Sequence, residues 1–257
     1  GDGKLEIIIG VDTHAEGTPV NTPNGGAIHV FRSNGTLFPG FPQFIDQTLM
    51  SSPAVGDIDG DRIPDIVAGG GVFYPGAVGR KVYAWKRDGT FVSGWPVTTV
   101  GQVFSSPALA DLTGDGVADV VIGDEPNAGA DPYLYAFSGN GAPLWQVRPR
   151  SYFATTPNIG SPVVADVTGD GQMDILVAVN TEIAVISRTG AQLTDPGPAP
   201  SADPRPTYYT NTSIISGAVV TDLEGDGTLD VVAASGDPFP SPTAATVYVW
   251  NPATVGP

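Results

Sequence analysis

The chain contains no cysteine, which excludes disulfides, a thiolate nucleophile and zinc-thiolate sites. Only three of its 257 residues are lysine, and basic residues total 11 against 27 acids. The formal charge of −16 and pI near 4.1 argue against a nucleic-acid partner or an anionic membrane surface. No apolar run approaches the roughly 18 residues needed to cross a bilayer. No segment shows a convincing period of 3.6, so almost no helix is expected. Two histidines, His14 and His29, are present, and neither G-x-S-x-G nor H-E-x-x-H occurs. What is abundant is glycine (34) and proline (25), a mix suited to many turns and short strands.

An internal repeat organises the chain. "SSPAVGDIDGDRIPDIVAGG" from Ser51 returns as "SSPALADLTGDGVADVVIGD" from Ser105. It returns again as "GSPVVADVTGDGQMDILVAV" from Gly160 and "SGAVVTDLEGDGTLDVVAAS" from Ser216. The leading aspartates Asp57, Asp111, Asp166 and Asp222 are 54, 55 and 56 residues apart. "GDGKLEIIIG" at the start matches the second half of a fifth copy. A second element follows each copy, as in "IHVFRSNGTLFPGFP" from Ile28 and "VYAWKRDGTFVSGWP" from Val82. Apolar residues flanking Asn-Gly or Asp-Gly predict a tight β-hairpin.

Each unit thus predicts four strands: A ("SPAVGD"), B ("DIVAGG"), C ("KVYAWK") and D ("FVSGWPV"). Strand B is apolar on both faces, as a strand covered on both sides should be. A lone four-stranded sheet cannot bury two apolar faces, so neighbouring units must cover one another. The expected fold is all-β: a β-propeller of four-stranded antiparallel blades, in preference to a solenoid or a string of small β domains. One domain, 1–257, is divided into blades at 1–48 (partial), 49–104, 105–159, 160–215 and 216–257 (partial). That is about 4.5 blades and 18 strands. The expectation is a part of a larger propeller, or one whose open edges a neighbouring subunit completes.

Between strands A and B lies the acidic pattern D-x-[D/T/E]-G-D-[G/R]-x-x-D. Alternate oxygens at positions 1, 3 and 5, a carbonyl at 7 and a carboxylate at 9 make an all-oxygen shell. That suits Ca²⁺, which takes six to eight oxygens; Mg²⁺ prefers to keep its waters. The ligands of the first full loop are Asp57, Asp59, Asp61, the Ile63 carbonyl and Asp65. Those of the second are Asp111, Thr113, Asp115, the Val117 carbonyl and Asp119. The third has Asp166, Thr168, Asp170, the Gln172 carbonyl and Asp174. The fourth has Asp222, Glu224, Asp226, the Thr228 carbonyl and Asp230. A partial site draws on Asp2, the Lys4 carbonyl and Glu6. Threonine at position 3 makes the second and third loops the weaker sites. Gly116, Gly171 and Gly227 occupy position 6, where a positive φ is expected, and Arg62 stands there in the first loop. An EF-hand is excluded, because position 12 holds Ala68, Ile122, Val177 and Ala233 instead of glutamate. These loops, with Asp2 and Glu6, account for 16 of the 27 acids, so much of the acidity is assigned to ion binding.

At these residues the sequence resembles the FG-GAP/VCBS repeat family, whose best-known members are the integrin α-chain propellers. The "VYAWKRDGT…GWP" element looks like bacterial secreted members. The resemblance implies an extracellular or cell-surface protein with calcium in its A–B loops. It supplies no ligand motif.

Strand alternation sends the A–B and C–D loops to one end of each sheet and the B–C and D–A loops to the other. The long insertions, from Val11, Gly70, Asp124 and Leu193, are of the second kind. Exposed loops on a rigid scaffold are where function concentrates. The expected activity is therefore binding or adhesion of a protein or glycan at the B–C/D–A end, with Phe73, Tyr74, Tyr152, Phe153, Tyr208 and Tyr209 as candidate contacts. Packing of these aromatics within their own loops is the competing reading. No catalytic constellation is visible and no enzyme is expected. The alternatives are a structural subunit of an extracellular fibre or surface layer, and the propeller of a lyase-like polysaccharide-degrading enzyme. Asn34 and Asn211 lie in glycosylation sequons, Asn34 at a hairpin turn.

Overall fold

The computed structural model describes residues 3–12, 25–71, 79–125, 131–150, 159–194, 208–210, 214, 217–236 and 245–252. Every regular element among them is a β-strand, and the strands form five antiparallel sheets in chain order. The first sheet holds β1 (Ile7–Asp12), β2 (Gly26–Phe31) and β3 (Gln43–Ile45). In the second, β4 (Thr48–Leu49) and β5 (Ala54–Gly56) both pair with β6 (Asp65–Gly71), followed by β7 (Lys81–Trp85) and β8 (Val97–Thr98). The third runs β9 (Ala108–Ala110), β10 (Asp119–Gly123), β11 (Leu134–Phe137) and β12 (Pro143–Val147). The fourth runs β13 (Val163–Ala165), β14 (Asp174–Val179), β15 (Glu182–Ser187) and β16 (Tyr208–Tyr209). The fifth holds β17 (Val219–Thr221), β18 (Asp230–Ser235) and β19 (Thr246–Trp250).

Two expectations need correction. Among the described residues there are 19 strands and not 18, because strand A of the second unit is broken into β4 and β5 around Met50–Pro53. Among the described residues of later units the early piece survives as single bridges, Gln102 to Glu125, Ile159 to Val179 and Ile214 to Ser235. Strand D does not start at Phe91 in the second unit. Phe91 makes one bridge to Trp85, the chain turns at Gly94 and the cis Trp95–Pro96 bond, and pairing resumes at Val97. Trp95 is thereby turned inward, and its Nε1–H donates to the Gly139 carbonyl of the third sheet at 2.7 Å. Trp145 does the same to the Arg188 carbonyl of the fourth at 2.8 Å. The C–D hairpins form as expected. Gly35, Gly89, Gly141 and Gly190 have positive φ, and the Asn34 side chain is engaged within its turn, accepting from the Thr36 amide at 3.1 Å.

Among the described residues the core is four separate slabs, each between consecutive sheets. Strand β6 supplies two of them by alternation. Ile66 and Ala68 join Ile28, Val30 and Phe41 of the first sheet, while Val67 joins Val120, Ile122 and Phe137 of the third. Strand β10 repeats this with Val121 turned toward Ile175 and Val177 of the fourth sheet, and β14 with Leu176 and Ala178 toward Val231 and Ala233 of the fifth. A period of two with both faces buried is what this stacking requires. The stacking is reinforced where the A strands begin. The Ser52 amide donates to Ser106 Oγ at 3.0 Å and the Ser106 amide to Ser161 Oγ at 2.9 Å, and β5, β9, β13 and β17 touch in succession.

Candidate metal centres

In all four full loops the first aspartate is held by backbone amides. Asp111 Oδ1 accepts from Gly114 at 2.6 Å and Asp115 at 3.2 Å, and its Oδ2 accepts from Gly116 at 2.8 Å. Asp166 and Asp222 repeat the triple arrangement, and Asp57 accepts from Gly60 and Arg62. The position 5 carboxylates, Asp61, Asp115, Asp170 and Asp226, each take the amide of the position 7 residue at 2.7–2.9 Å. That bond curls the segment containing Ile63, Val117, Gln172 and Thr228. These loops are therefore shaped by their own acids.

The position 9 acids start strand B and are nearly sealed from solvent: Asp65, Asp119, Asp174 and Asp230 are 1–2% exposed. Each uses Oδ2 to accept the amide of the position 2 residue, Ile58, Leu112, Val167 or Leu223, at 2.9–3.2 Å. The two kinds of acid feel opposite environments. Amide donors hold Asp111 and Asp222 below the usual carboxylate range. Burial pushes Asp119 and Asp174 up, and burial with the charges of Asp59 and Asp61 brings Asp65 up to about 6. A buried carboxylate facing others is short of positive charge, the condition that a divalent cation relieves.

In the first full loop the carboxylates of Asp57, Asp59 and Asp61 converge, with oxygens within 4.8 Å of one another. Lys86, from the C–D hairpin of the same unit, is paired with Asp59 and lies 3.5 Å from Asp61. Its ammonium neutralises this loop in part and would compete with a metal there. At position 3, Thr168 Oγ1 donates to Asp174 at 2.9 Å, while Thr113 makes only a long 3.5 Å contact with Asp111. The fourth loop carries Glu224 at this position, and three of its acids do not converge as closely as those of the first loop. In the partial loop, Lys4 and Glu6 are exposed, and Asp2 lies outside the described residues.

Position 6 has the expected backbone. Gly116, Gly171 and Gly227 have φ of +83°, +80° and +88°, and Arg62 is forced to +66°. A Cβ at Gly116, Gly171 or Gly227 would meet nothing within 4 Å, so a substitution there tests conformation alone. The left-handed region costs an L-residue about 1–2 kcal/mol. Gly116→Ala is expected to lose about 1 kcal/mol. Arg62→Gly should gain less than that, since glycine's extra unfolded-state entropy of about 0.5–1 kcal/mol offsets the relief. Urea-denaturation midpoints moving in these opposite directions check the assignment.

Sequence reasoning missed the cations that reach these loops from the C–D hairpins. Besides Lys86, Arg188 donates to the Leu112 carbonyl at 3.0 Å. These contacts place the A–B and C–D loops at one end of the sheets. At the other end, Lys81 pairs with Asp46, and Asp124 accepts from the Gly101 amide and the Tyr135 hydroxyl. Tyr208 is no surface contact: it is buried edge-on against Trp250, and burial pushes its hydroxyl up to about 12. Tyr209 is half-buried in β16. Phe73, Tyr74, Tyr152, Phe153, His14 and Asn211 lie outside the described residues.

No curated protein sequence matches the chain. Among solved structures, a rhamnogalacturonan lyase of Bacillus licheniformis is 16% identical, with a TM-score of 0.48 over 88% of this chain and 53% of that one. The exotype rhamnogalacturonan lyase YesX is 15% identical, with a TM-score of 0.48 over 93% and 50%. The V. cholerae biofilm matrix protein Bap1 is 18% identical, with a TM-score of 0.36 over 72% and 38%. The chain spans about half the length of these lyases and less of Bap1. The FG-GAP-like repeat family matches residues 111–177, from the first aspartate of the second full loop into β14 of the fourth sheet. Residues 111–177 carry the FG-GAP-like repeat, and the same acidic loop and flanking strands recur along the sequence.

Proposed function

We propose that the chain is a calcium-stabilised, extracellular β-propeller module that binds a protein or glycan through its B–C/D–A end. The observation that carries this reading is one hydrogen-bonded scaffold built four times around the same oxygen donors. Asp57, Asp111, Asp166 and Asp222 are oriented by amides, and Asp65, Asp119, Asp174 and Asp230 are buried at the strand start. The donor set fits a hard cation: carboxylates, threonine hydroxyls and main-chain carbonyls, with no nitrogen or sulfur ligand. Bound calcium would tie strand A to strand B in a chain without disulfides. Sites of this kind in extracellular modules work at about 10⁻⁴–10⁻³ M calcium, which suits the compartment.

The propeller reading is supported by the successive contacts of the A strands and by cores lying only between consecutive sheets. Binding is preferred to catalysis because the recurrent acids are committed to loop geometry. His29 is stacked on Phe31 at 5.8 Å, and burial lowers its affinity for a proton. The insertions from Val11, Gly70 and Asp124 interrupt B–C connections, whose strands end and restart opposite the acidic loops. The one from Leu193, expected in a D–A loop, falls instead between β15 and β16 in the C–D connection; residues 13–24, 72–78, 126–130 and 195–207 lie outside the described residues. A glycan array probed in millimolar calcium is expected to show selective binding. Cleavage of a polysaccharide panel without array binding would favour the lyase-like alternative, and polymers in electron micrographs the fibre subunit.

A further inference from the structure

In the second, third and fourth units the structure describes both the acidic loop and the C–D hairpin beside it. The first residue after strand C is Lys86, Ser138 or Ser187. Each holds the same place, donating its amide across the turn to Thr90, Ala142 or Ala191 at 2.7–2.8 Å. The two serines turn back into their own hairpins. Ser138 Oγ donates to Asn140 Oδ1 at 2.7 Å, and Ser187 Oγ lies 3.0 Å from Thr189 Oγ1. Of the three, Lys86 reaches the loop, pairing with Asp59 and lying 3.5 Å from Asp61.

The lysine stands where the loop charge is greatest. Its loop has Asp59 at position 3, where the next two have Thr113 and Thr168. Asp57, Asp59 and Asp61 bring their oxygens within 4.8 Å of one another, and like charges so close repel. Four carboxylates with the ammonium leave this loop at a formal −3, the charge that the second and third loops reach with three carboxylates and a serine. The contacts are also specific to atoms. Asp59 Oδ1 and Asp61 Oδ1 accept the amides of Asp61 and Ile63, and Lys86 takes the Oδ2 of each. Both are carboxylates assigned to the metal. A cation bound there meets the repulsion of the ammonium and must share its partners.

We infer that Lys86 is a resident competitor for the calcium ion of the first full loop. It lowers the affinity of that site toward those of the second and third loops, and it keeps Asp59 and Asp61 together when calcium is low. The inference rests on the calcium reading of the loops and adds to it a residue, from another part of the unit, that tunes one site and not its neighbours.

The test compares the full wild-type chain with Lys86→Met and Lys86→Arg, each checked for folding by circular dichroism. Calcium chloride is titrated into the chelator-stripped, ¹⁵N-labelled chain. The amides of Gly60, Gly114 and Gly169, at position 4 of the first three full loops, report each site separately by NMR. Lys86→Met should move the Gly60 midpoint to about tenfold lower calcium, the effect of one nearby unit charge on a divalent ion in a partly exposed place. The Gly114 and Gly169 midpoints should stay where they are, and Lys86→Arg should leave all three near wild type. Relative to wild type, Lys86→Met should melt lower in excess chelator and higher at saturating calcium. An unmoved Gly60 midpoint in the folded Lys86→Met chain, or three midpoints that shift together, would overturn the inference and leave the calcium reading standing. So would a lower melting temperature at every calcium level, the behaviour of a lysine that only braces the hairpin. A wild-type chain in which none of the three amides responds to calcium would overturn both.

Discussion

Stripping calcium from the chain is expected to lower its melting temperature by 20 °C or more. A ligand that binds only the native state adds RT ln(1 + [L]/Kd), about 2.7 kcal/mol per site at a hundredfold excess over Kd. Four such sites sum to about 11 kcal/mol if they act independently, and in a domain of this size about 1 kcal/mol moves the melting temperature by 2–4 °C. That sum is comparable to the whole stability of an ordinary domain. The physical source is visible in the loops. Asp65 is buried beside the charges of Asp59 and Asp61, which backbone amides and the Lys86 ammonium offset in part. Differential scanning calorimetry with calcium at about 10–100 mM, a hundredfold above a Kd of about 10⁻⁴–10⁻³ M, and in excess chelator measures the difference. The second and third loops, with threonine at position 3, should release their ions first as calcium is lowered.

The largest single-residue effect is expected at position 9. Asp119→Ala removes the acceptor of two amides, those of Leu112 at 2.9 Å and Thr113 at 3.1 Å, in a place 2% exposed. Leaving buried donors unmet costs about 1–3 kcal/mol each, so the loss should be about 3–5 kcal/mol before any metal is counted. Because Leu112 plugs the slab between the third and fourth sheets, a displaced amide also disturbs that packing. Asp119→Asn separates the two roles. The amide oxygen still accepts, so most of the scaffold survives, while the negative charge needed by a divalent ion is gone. Chemical denaturation should rank wild type above Asn above Ala in calcium, with wild type and Asn close together in chelator.

The repeat made the acidic loops, the hairpins and the doubly buried B strands legible, because each is a local pattern that the chain writes four or five times. Alternation alone explains why Val67 and Ile66 serve different slabs. What stayed hidden was contact between units. The serine ladder joins residues 54 and 55 positions apart, and nothing local to Ser52 or Ser106 marks it beyond the recurring serine before proline. Ile58, Leu112 and Val167 look like incidental apolar residues inside an acidic loop until neighbouring sheets are placed beside them. Their recurrence at position 2 was the available signal. Strand D was misplaced because the pattern around Gly94 and Pro96 reads as strand, while the backbone uses both residues to turn Trp95 into the next sheet. The reach of Lys86 and Arg188 depends on hairpin and loop sharing one end of the sheet, a fact of topology and not of spacing.

The central claim is that each full loop holds its own calcium ion. Native mass spectrometry of the chain in a volatile calcium buffer, with Asp119→Asn in parallel, tests it most directly. The account predicts four bound ions on the wild-type chain and three on the variant, the other loops keeping theirs because repeats act nearly independently. A wild-type chain that stays folded with no bound calcium, or a variant that loses all its ions together, would contradict it.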